Sequence, residues 1–73
     1  MKEKTIGIIL NKKEKEILKL LAGGFSDSEI GEELGKSYHT IRGVIYDMER
    51  RTGTTNRPHL IYWAFKNGVL KVE

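Results

Sequence analysis

The chain has 73 residues, no cysteine and a formal net charge of +3. This length allows one domain, near the lower limit for independent folding, and the missing thiols exclude disulfides and thiolate metal sites. The two histidines, His39 and His59, give no local metal motif, so neither a metal nor a cofactor is expected. The longest apolar run, Ile6 to Leu10, is too short to span a bilayer or to form a signal sequence, which indicates a cytoplasmic protein.

The charges are unevenly distributed, and they do not suggest catalysis. Residues 26–35 hold four acids and no base, whereas residues 36–51 hold four bases and two acids. A basic segment of this kind suits a polyanion, although ordinary solvated charge is the alternative. Glu14 and Glu16 are two apart on a predicted helix and do not face each other. With no nucleophile triad and no phosphate-binding glycine loop, the pattern predicts that the chain is not an enzyme.

The first predicted helix covers residues 12–22. Asn11 is a good N-cap, and Glu14 completes a capping box with it. Gly23 or Gly24 ends the helix. Its apolar stripe consists of Ile17, Leu18, Leu20 and Leu21.

A second, shorter helix follows in the segment SDSEIGEELG. Ser26 and Glu29 form another capping box, and Gly35 ends the helix. Asp27 lies in the first turn, where the helix dipole favours a negative charge. Ile30 and Leu34 are four residues apart and face one way.

The third helix is predicted to begin after the N-cap Ser37 and to end near Arg51, with Gly53 beyond it. Its buried stripe is Ile41, Ile45, Met48 and Thr52, flanked by Tyr38 and Val44. The opposite face holds His39, Arg42, Gly43, Tyr46 and Arg50, with Thr40 and Arg51 on one shoulder. A glycine inside a helix costs about 1 kcal/mol against alanine, so Gly43 needs an explanation.

The fourth helix is predicted over residues 57–67, capped by Asn56 or Thr55 and closed by Gly68. Its inward face is predicted to be Leu60, Ile61, Ala64 and Phe65. Trp63 is predicted to point outward, beside His59 and Lys66, and Val69 and Leu70 to fold back on the core. Four helices make an all-α domain, and the tight link between the second and third matches a helix-turn-helix.

Two segments resemble the DNA-binding domain of the LuxR/GerE family of bacterial transcription regulators. GFSDSEIGEELGKSYHTIR resembles the family core G.S..EIA..LG.S..TV, and TGTTNRPHLIYWAFKNGVL resembles the family ending. The resemblance implies a four-helix helix-turn-helix domain over residues 10–73, after a short N-terminal extension over 1–9. It also implies a bacterial or phage-encoded regulator of transcription whose third helix enters the major groove.

The predicted DNA-binding residues combine the exposed face of the third helix with its flanks. Arg42 matches a common family lysine and can bind guanine, while Thr40 and Arg51 match residues suited to phosphates. Gly43 either lets the backbone approach DNA, leaves room for a thymine methyl, or simply faces solvent. The alternative for His39 and Tyr46 is that each is an ordinary exposed side chain that does not contact DNA. The set is Lys36, His39, Thr40, Arg42, Gly43, Tyr46, Arg50 and Arg51.

Val44, Thr52 and Asp47 depart from the family pattern. Val44 replaces a histidine and Thr52 a hydrophobic residue. Asp47 stands where asparagine is common, and with Glu49 it brings negative charge near the side predicted to face DNA. None of these departures changes the residues that form the centre of the buried stripe.

The resemblance further implies dimerisation through the last helix, at His59, Tyr62, Trp63 and Lys66. The alternative is that the tail from Val69 to Val72 covers Trp63. The main hypothesis is a stand-alone regulator, with no room for a sensing domain before Leu10, binding double-stranded DNA as a homodimer on an inverted repeat. The rival is a protein-interaction module that pairs with another regulator of this family or with RNA polymerase. A third possibility is a non-specific nucleoid binder.

Overall fold

Four α-helices make up the core of the computed structural model, which describes residues 8–72. They are α1 (Lys12–Ala22), α2 (Asp27–Leu34), α3 (Tyr38–Thr52) and α4 (Arg57–Lys66). The all-α prediction is confirmed, and each helix end lies within one residue of its predicted position. The predicted N-terminal extension falls outside the described residues except for Ile8 and Ile9.

Side-chain caps begin every helix. The Asn11 side chain accepts a hydrogen bond from the Glu14 backbone N–H at 2.8 Å, and the Glu14 carboxylate accepts one from the Asn11 N–H at 3.0 Å. Ser26 and Glu29 form the same reciprocal pair at the start of α2. Ser37 and Asn56 cap α3 and α4. A good N-cap contributes about 1 kcal/mol, so these local signals alone account for where the helices start.

The hydrophobic core draws on all four helices and on Leu10, which precedes α1. The predicted stripe of α3 is confirmed at its centre, because Ile41, Ile45 and Met48 are fully buried. They pack with Leu10, Ile17, Leu18, Leu21, Ile30, Leu60 and Ala64. Val69 and Leu70 of the tail are half-buried against this cluster, as predicted.

Two aromatic residues predicted on the inward side are exposed instead. Tyr38 is 40% exposed and Phe65 is 38% exposed. In α4 the run from Leu60 to Phe65 is apolar around the whole helix, so periodicity does not identify a single inward face. Leu60 and Ala64, four residues apart, set the inward direction, and Phe65 lies about 100° further round the helix.

The outward orientation predicted for Trp63 is also wrong. The Trp63 side chain is half-buried and packs against the core cluster. Together with Val69 and the segment Ile8–Leu10 it borders a shallow depression beside α1. Val69 borders the same depression as the indole, whereas Val72 at the end of the described chain is exposed.

The turn between α2 and α3 depends on a glycine inside α2. The Lys36 N–H donates to the Gly31 carbonyl at 2.8 Å, after Gly35 has reversed the chain in the left-handed conformation with φ of 68°. A Cβ placed on Gly31 would lie 2.5 Å from the Lys36 carbonyl oxygen. Where the family pattern has alanine, this chain has glycine, and its turn closes directly against the α2 backbone.

Valine substitutions at the two mid-helix glycines should have different effects on stability. Gly31→Val should lower the free energy of unfolding by about 2–3 kcal/mol, because the side chain overlaps a backbone carbonyl. Gly43→Val should change it by no more than about 0.5 kcal/mol, since its Cβ meets open space and the two residues have similar helix propensities. Urea unfolding of both variants measures the contrast. Equal losses would contradict the proposed packing at Gly31.

Candidate nucleic-acid interface

One side of α3 is exposed and carries the residues predicted to face DNA. His39, Arg42, Gly43, Tyr46 and Arg50 are all exposed. We call these five residues the reading surface. Ile41, Ile45 and Met48 anchor the opposite side of the same helix in the core, so the reading surface sits on a rigid element.

Tyr38 orients the arginine at the N-terminal end of the reading surface. The Arg42 Nη1 donates to the Tyr38 hydroxyl at 2.7 Å, and the guanidinium carbon lies 5.5 Å from the ring centroid. The Tyr38 and His39 rings also pack edge to face, with 4.8 Å between the ring centroids. Sequence reasoning assigned Tyr38 to the buried flank and missed this role, although the i,i+4 spacing to Arg42 signals a contact on the helix surface.

Arg50 forms an exposed ion pair at the other end of the reading surface. Its Nη2 lies 2.6 Å from Asp47 Oδ1, and the Arg50 side chain is 65% exposed. Such a pair contributes less than about 1 kcal/mol, so Arg50 can exchange it for a phosphate at little cost. The Asp47 charge, a departure from the family pattern, is thus balanced within α3.

Arg51 is held differently, and the structure does not place it with Arg42 and Arg50. Its Nε donates to Asp47 Oδ2 at 3.0 Å, its Nη2 pairs with Glu14, and its Nη1 donates to the Ile9 carbonyl at 3.4 Å. The Arg51 side chain is only 34% exposed. It links the end of α3 to the start of α1, so any phosphate contact by Arg51 competes with two carboxylates.

Gly43 lies at the centre of the reading surface and has no structural role in the isolated domain. A Cβ built on Gly43 meets no atom within 4 Å, and the residue has an ordinary helical backbone. Neither close packing nor a left-handed conformation requires glycine here.

Thr40 and Lys36 flank the start of α3. The Thr40 hydroxyl accepts a hydrogen bond from the Ser37 hydroxyl at 3.0 Å, which leaves its own proton free to donate to a phosphate oxygen. Lys36 is exposed in the turn before α3, and contact with Lys13 lowers the pKa of its ammonium group.

Three of the four residues predicted at a dimer interface share an exposed face of α4. His59, Tyr62 and Lys66 are spaced i, i+3 and i+7, and all are exposed. The Lys66 Nζ lies 5.8 Å from the Tyr62 ring centroid. Trp63, the fourth, is half-buried on the side toward Ile8–Leu10 and is not part of this face.

A partly buried ion pair joins the start of α2 to the start of α4. Both Nη atoms of Arg57 bond the two Asp27 carboxylate oxygens, with 2.7 Å between Nη2 and Oδ2. The hydrogen bond to Asp27 raises the pKa of Arg57 above its ordinary value. Asp27 had been assigned only to the helix dipole. Its partner lies 30 residues away, so no local pattern revealed the pair.

Other kinds of site find little support in residues 8–72. This part of the chain contains no group of three or more histidine, aspartate or glutamate side chains able to hold a metal ion. Its helices are too short or too polar to cross a membrane.

Comparison with known proteins gave one family and several relatives. The family described as bacterial regulatory proteins, luxR family, matches residues 9–64. The oxygen regulatory protein NreC of Staphylococcus aureus strains JH9 and JH1 is 35% identical over 63 residues, which cover 86% of this chain and 29% of each relative. The chain thus spans less than a third of the length of these curated relatives. No solved structure matched.

Proposed function

The chain belongs to the luxR family of bacterial regulatory proteins, and on that premise we propose that α3 enters the major groove of DNA and reads a specific sequence there. Membership makes it a DNA-binding regulatory domain rather than an enzyme. The finer proposal is that the protein acts as a homodimer on an inverted repeat. The observation that carries it is the reading surface, a basic and uncovered helix face opposite a fully buried one.

The dimensions and chemistry of α3 suit the groove. Its 15 residues span about 22 Å, enough to follow the major groove with Gly43 near the middle. Arg42, preoriented by Tyr38, is proposed to bind guanine O6 and N7 together. Arg50, Thr40 and Lys36 are proposed to contact phosphates, which set the register of the helix on the duplex.

The exposed face of α4 supports the proposed homodimer. His59, Tyr62 and Lys66 form an exposed patch in which a lysine lies over an aromatic ring. In a two-fold dimer, the ring of one protomer could pair with the cation of the other. A two-fold axis through such a patch would place two copies of α3 about 34 Å apart, one turn of DNA. Trp63 is proposed to support this face from the core side.

The protein-interaction alternative loses part of its motivation. It drew on Val44, Asp47, Glu49 and Trp63. Asp47 is paired with two arginines, and Val44 and Trp63 are half-buried against the core. Asp47, Val44 and Trp63 therefore already have partners within the domain, which weakens the support for this alternative.

Selection of bound sequences from a random duplex pool tests the proposal. We expect enrichment of an inverted repeat whose half-site centres lie about 10–10.5 base pairs apart. Enrichment of a single half-site would contradict the homodimer. A pool that stays random would contradict sequence-specific reading and support non-specific binding instead.

Gly43→Ala should separate stability from DNA affinity. We expect the free energy of unfolding to rise by up to about 1 kcal/mol, because alanine favours the helix and its methyl group meets open space. If the α3 backbone approaches the bases closely, affinity for the selected duplex should fall at least about fivefold, the cost of one badly placed methyl group. Urea unfolding and fluorescence anisotropy measure the two effects. A more stable variant with unchanged affinity would show that Gly43 faces solvent even on DNA.

A further inference from the structure

Tyr38 is the first residue of α3 and lies outside the set of residues predicted to bind DNA. Its hydroxyl oxygen accepts a hydrogen bond of 2.7 Å from Arg42 Nη1, and the guanidinium carbon lies 5.5 Å from the ring centroid. The His39 ring packs against the same ring, with 4.8 Å between the centroids. The tyrosine side chain is therefore restrained both at its ring and at its hydroxyl.

Both groups of this contact keep hydrogen-bonding capacity for a ligand. A phenol hydroxyl that accepts one hydrogen bond still has its own proton to donate. A guanidinium carries five N–H donors, so Arg42 keeps enough of them for the guanine O6 and N7 that it is proposed to bind. Tyr38 is 40% exposed, so a ligand can reach its side chain from outside the domain.

The place of the hydroxyl relative to the bases follows from its bond to Arg42. The N-terminal residues of a recognition helix contact base edges, and Tyr38 and Arg42 are one turn apart at that end of α3. When Nη1 donates to guanine at about 2.9 Å, the hydroxyl oxygen lies within about 5.6 Å of the same acceptor. Successive bases are about 3.4 Å apart along the duplex axis, so the adjoining base is within reach.

We infer that Tyr38 and Arg42 read two adjoining bases as one unit, in which Arg42 binds a guanine and the Tyr38 hydroxyl donates to the next base on the same strand. The inference rests on the proposed function and deepens it, because it adds a specificity-determining residue. In the major groove, guanine, adenine and thymine present acceptors, whereas cytosine presents an amino donor. The hydroxyl oxygen already accepts from Arg42, so the adjoining base meets a donor and cytosine is disfavoured.

Tyr38→Phe tests the unit, because it removes the hydroxyl and keeps the ring. Wild type should select guanine from a random duplex pool and exclude cytosine beside it. In anisotropy measurements, replacing the adjoining base by cytosine should weaken wild-type binding about threefold to tenfold, the value of one net hydrogen bond, and should not weaken Tyr38→Phe. As the matched control, replacing the guanine should still weaken the variant, since Arg42 keeps its contact with the ring.

Binding to random duplexes and the urea midpoint should be the same in Tyr38→Phe and wild type, because the side chain is partly exposed and the ring is retained. Equal weakening on all duplexes would assign the hydroxyl to a phosphate and overturn the inference. A wild-type site that accepts cytosine beside the guanine, or a variant that still excludes it, would also overturn the inference and leave the proposed function standing. A wild-type pool that stays random would overturn both.

Discussion

Replacing Asp27 by asparagine is expected to lower the free energy of unfolding by about 2–3 kcal/mol. Asp27 is 9% exposed, and its carboxylate binds both Nη atoms of Arg57. Removing the Asp27 charge leaves the Arg57 guanidinium without its counterion and only partly solvated. In fully buried pairs, the loss of one partner costs about 3–5 kcal/mol. Arg57 is 37% exposed, so water offsets part of that cost and the lower range applies.

The pair should remain intact into the alkaline range. The pKa of Arg57 is raised on folding, so its contribution to stability is present below the ordinary arginine pKa and is lost only above the raised one. Stability should therefore show no loss from Arg57 between pH 7 and 10.

Urea unfolding of Asp27→Asn measures the effect, with Arg50→Gln as the control. Arg50 also belongs to an ion pair, but an exposed one, so its loss should change the free energy of unfolding by less than about 1 kcal/mol. Because small domains are marginally stable, Asp27→Asn should also lower the melting temperature by several degrees. Similar losses in the two variants would show that the Asp27–Arg57 pair does not join α2 to α4 as described.

Alanine at Arg42 and at Arg50 is expected to weaken DNA binding in two distinguishable ways. Arg42→Ala should lose about 1–3 kcal/mol on the selected duplex and relax the preference at one base pair, since a bidentate guanine contact carries that much discrimination. Arg50→Ala should weaken binding to all duplexes alike and reduce the salt slope by about 0.9 per protomer. Both side chains are exposed, so neither change should unfold the domain.

Anisotropy with selected and random duplexes over a salt series separates these outcomes. Lys19→Ala, on the far side of α1 beside Val69, is the control and should change neither affinity nor slope. The double variant Arg42→Ala with Arg50→Ala should lose nearly all preference for the selected site. If the double variant keeps wild-type affinity and salt dependence, the reading surface does not contact DNA.

The features that depend only on residues close together in the chain were predicted correctly from the sequence. Asn11 with Glu14 and Ser26 with Glu29 are three residues apart, so their reciprocal caps form within a single turn. The repeat of Ile41, Ile45 and Met48 identified the buried side of α3, and with it the exposed side. In α4, where apolar residues surround the helix, the same reasoning misplaced Phe65 and Trp63.

Four helices, their ends and the basic face of α3 could be predicted without a structure, because caps and helical periodicity act over three to seven residues. The long-range ion pairs could not be predicted in this way. Asp27 meets Arg57 across 30 positions and Glu14 meets Arg51 across 37. Such pairs depend on how the helices pack, and no local pattern encodes that. The packing therefore separates two neighbouring arginines, leaving Arg50 free to exchange partners and holding Arg51 against α1.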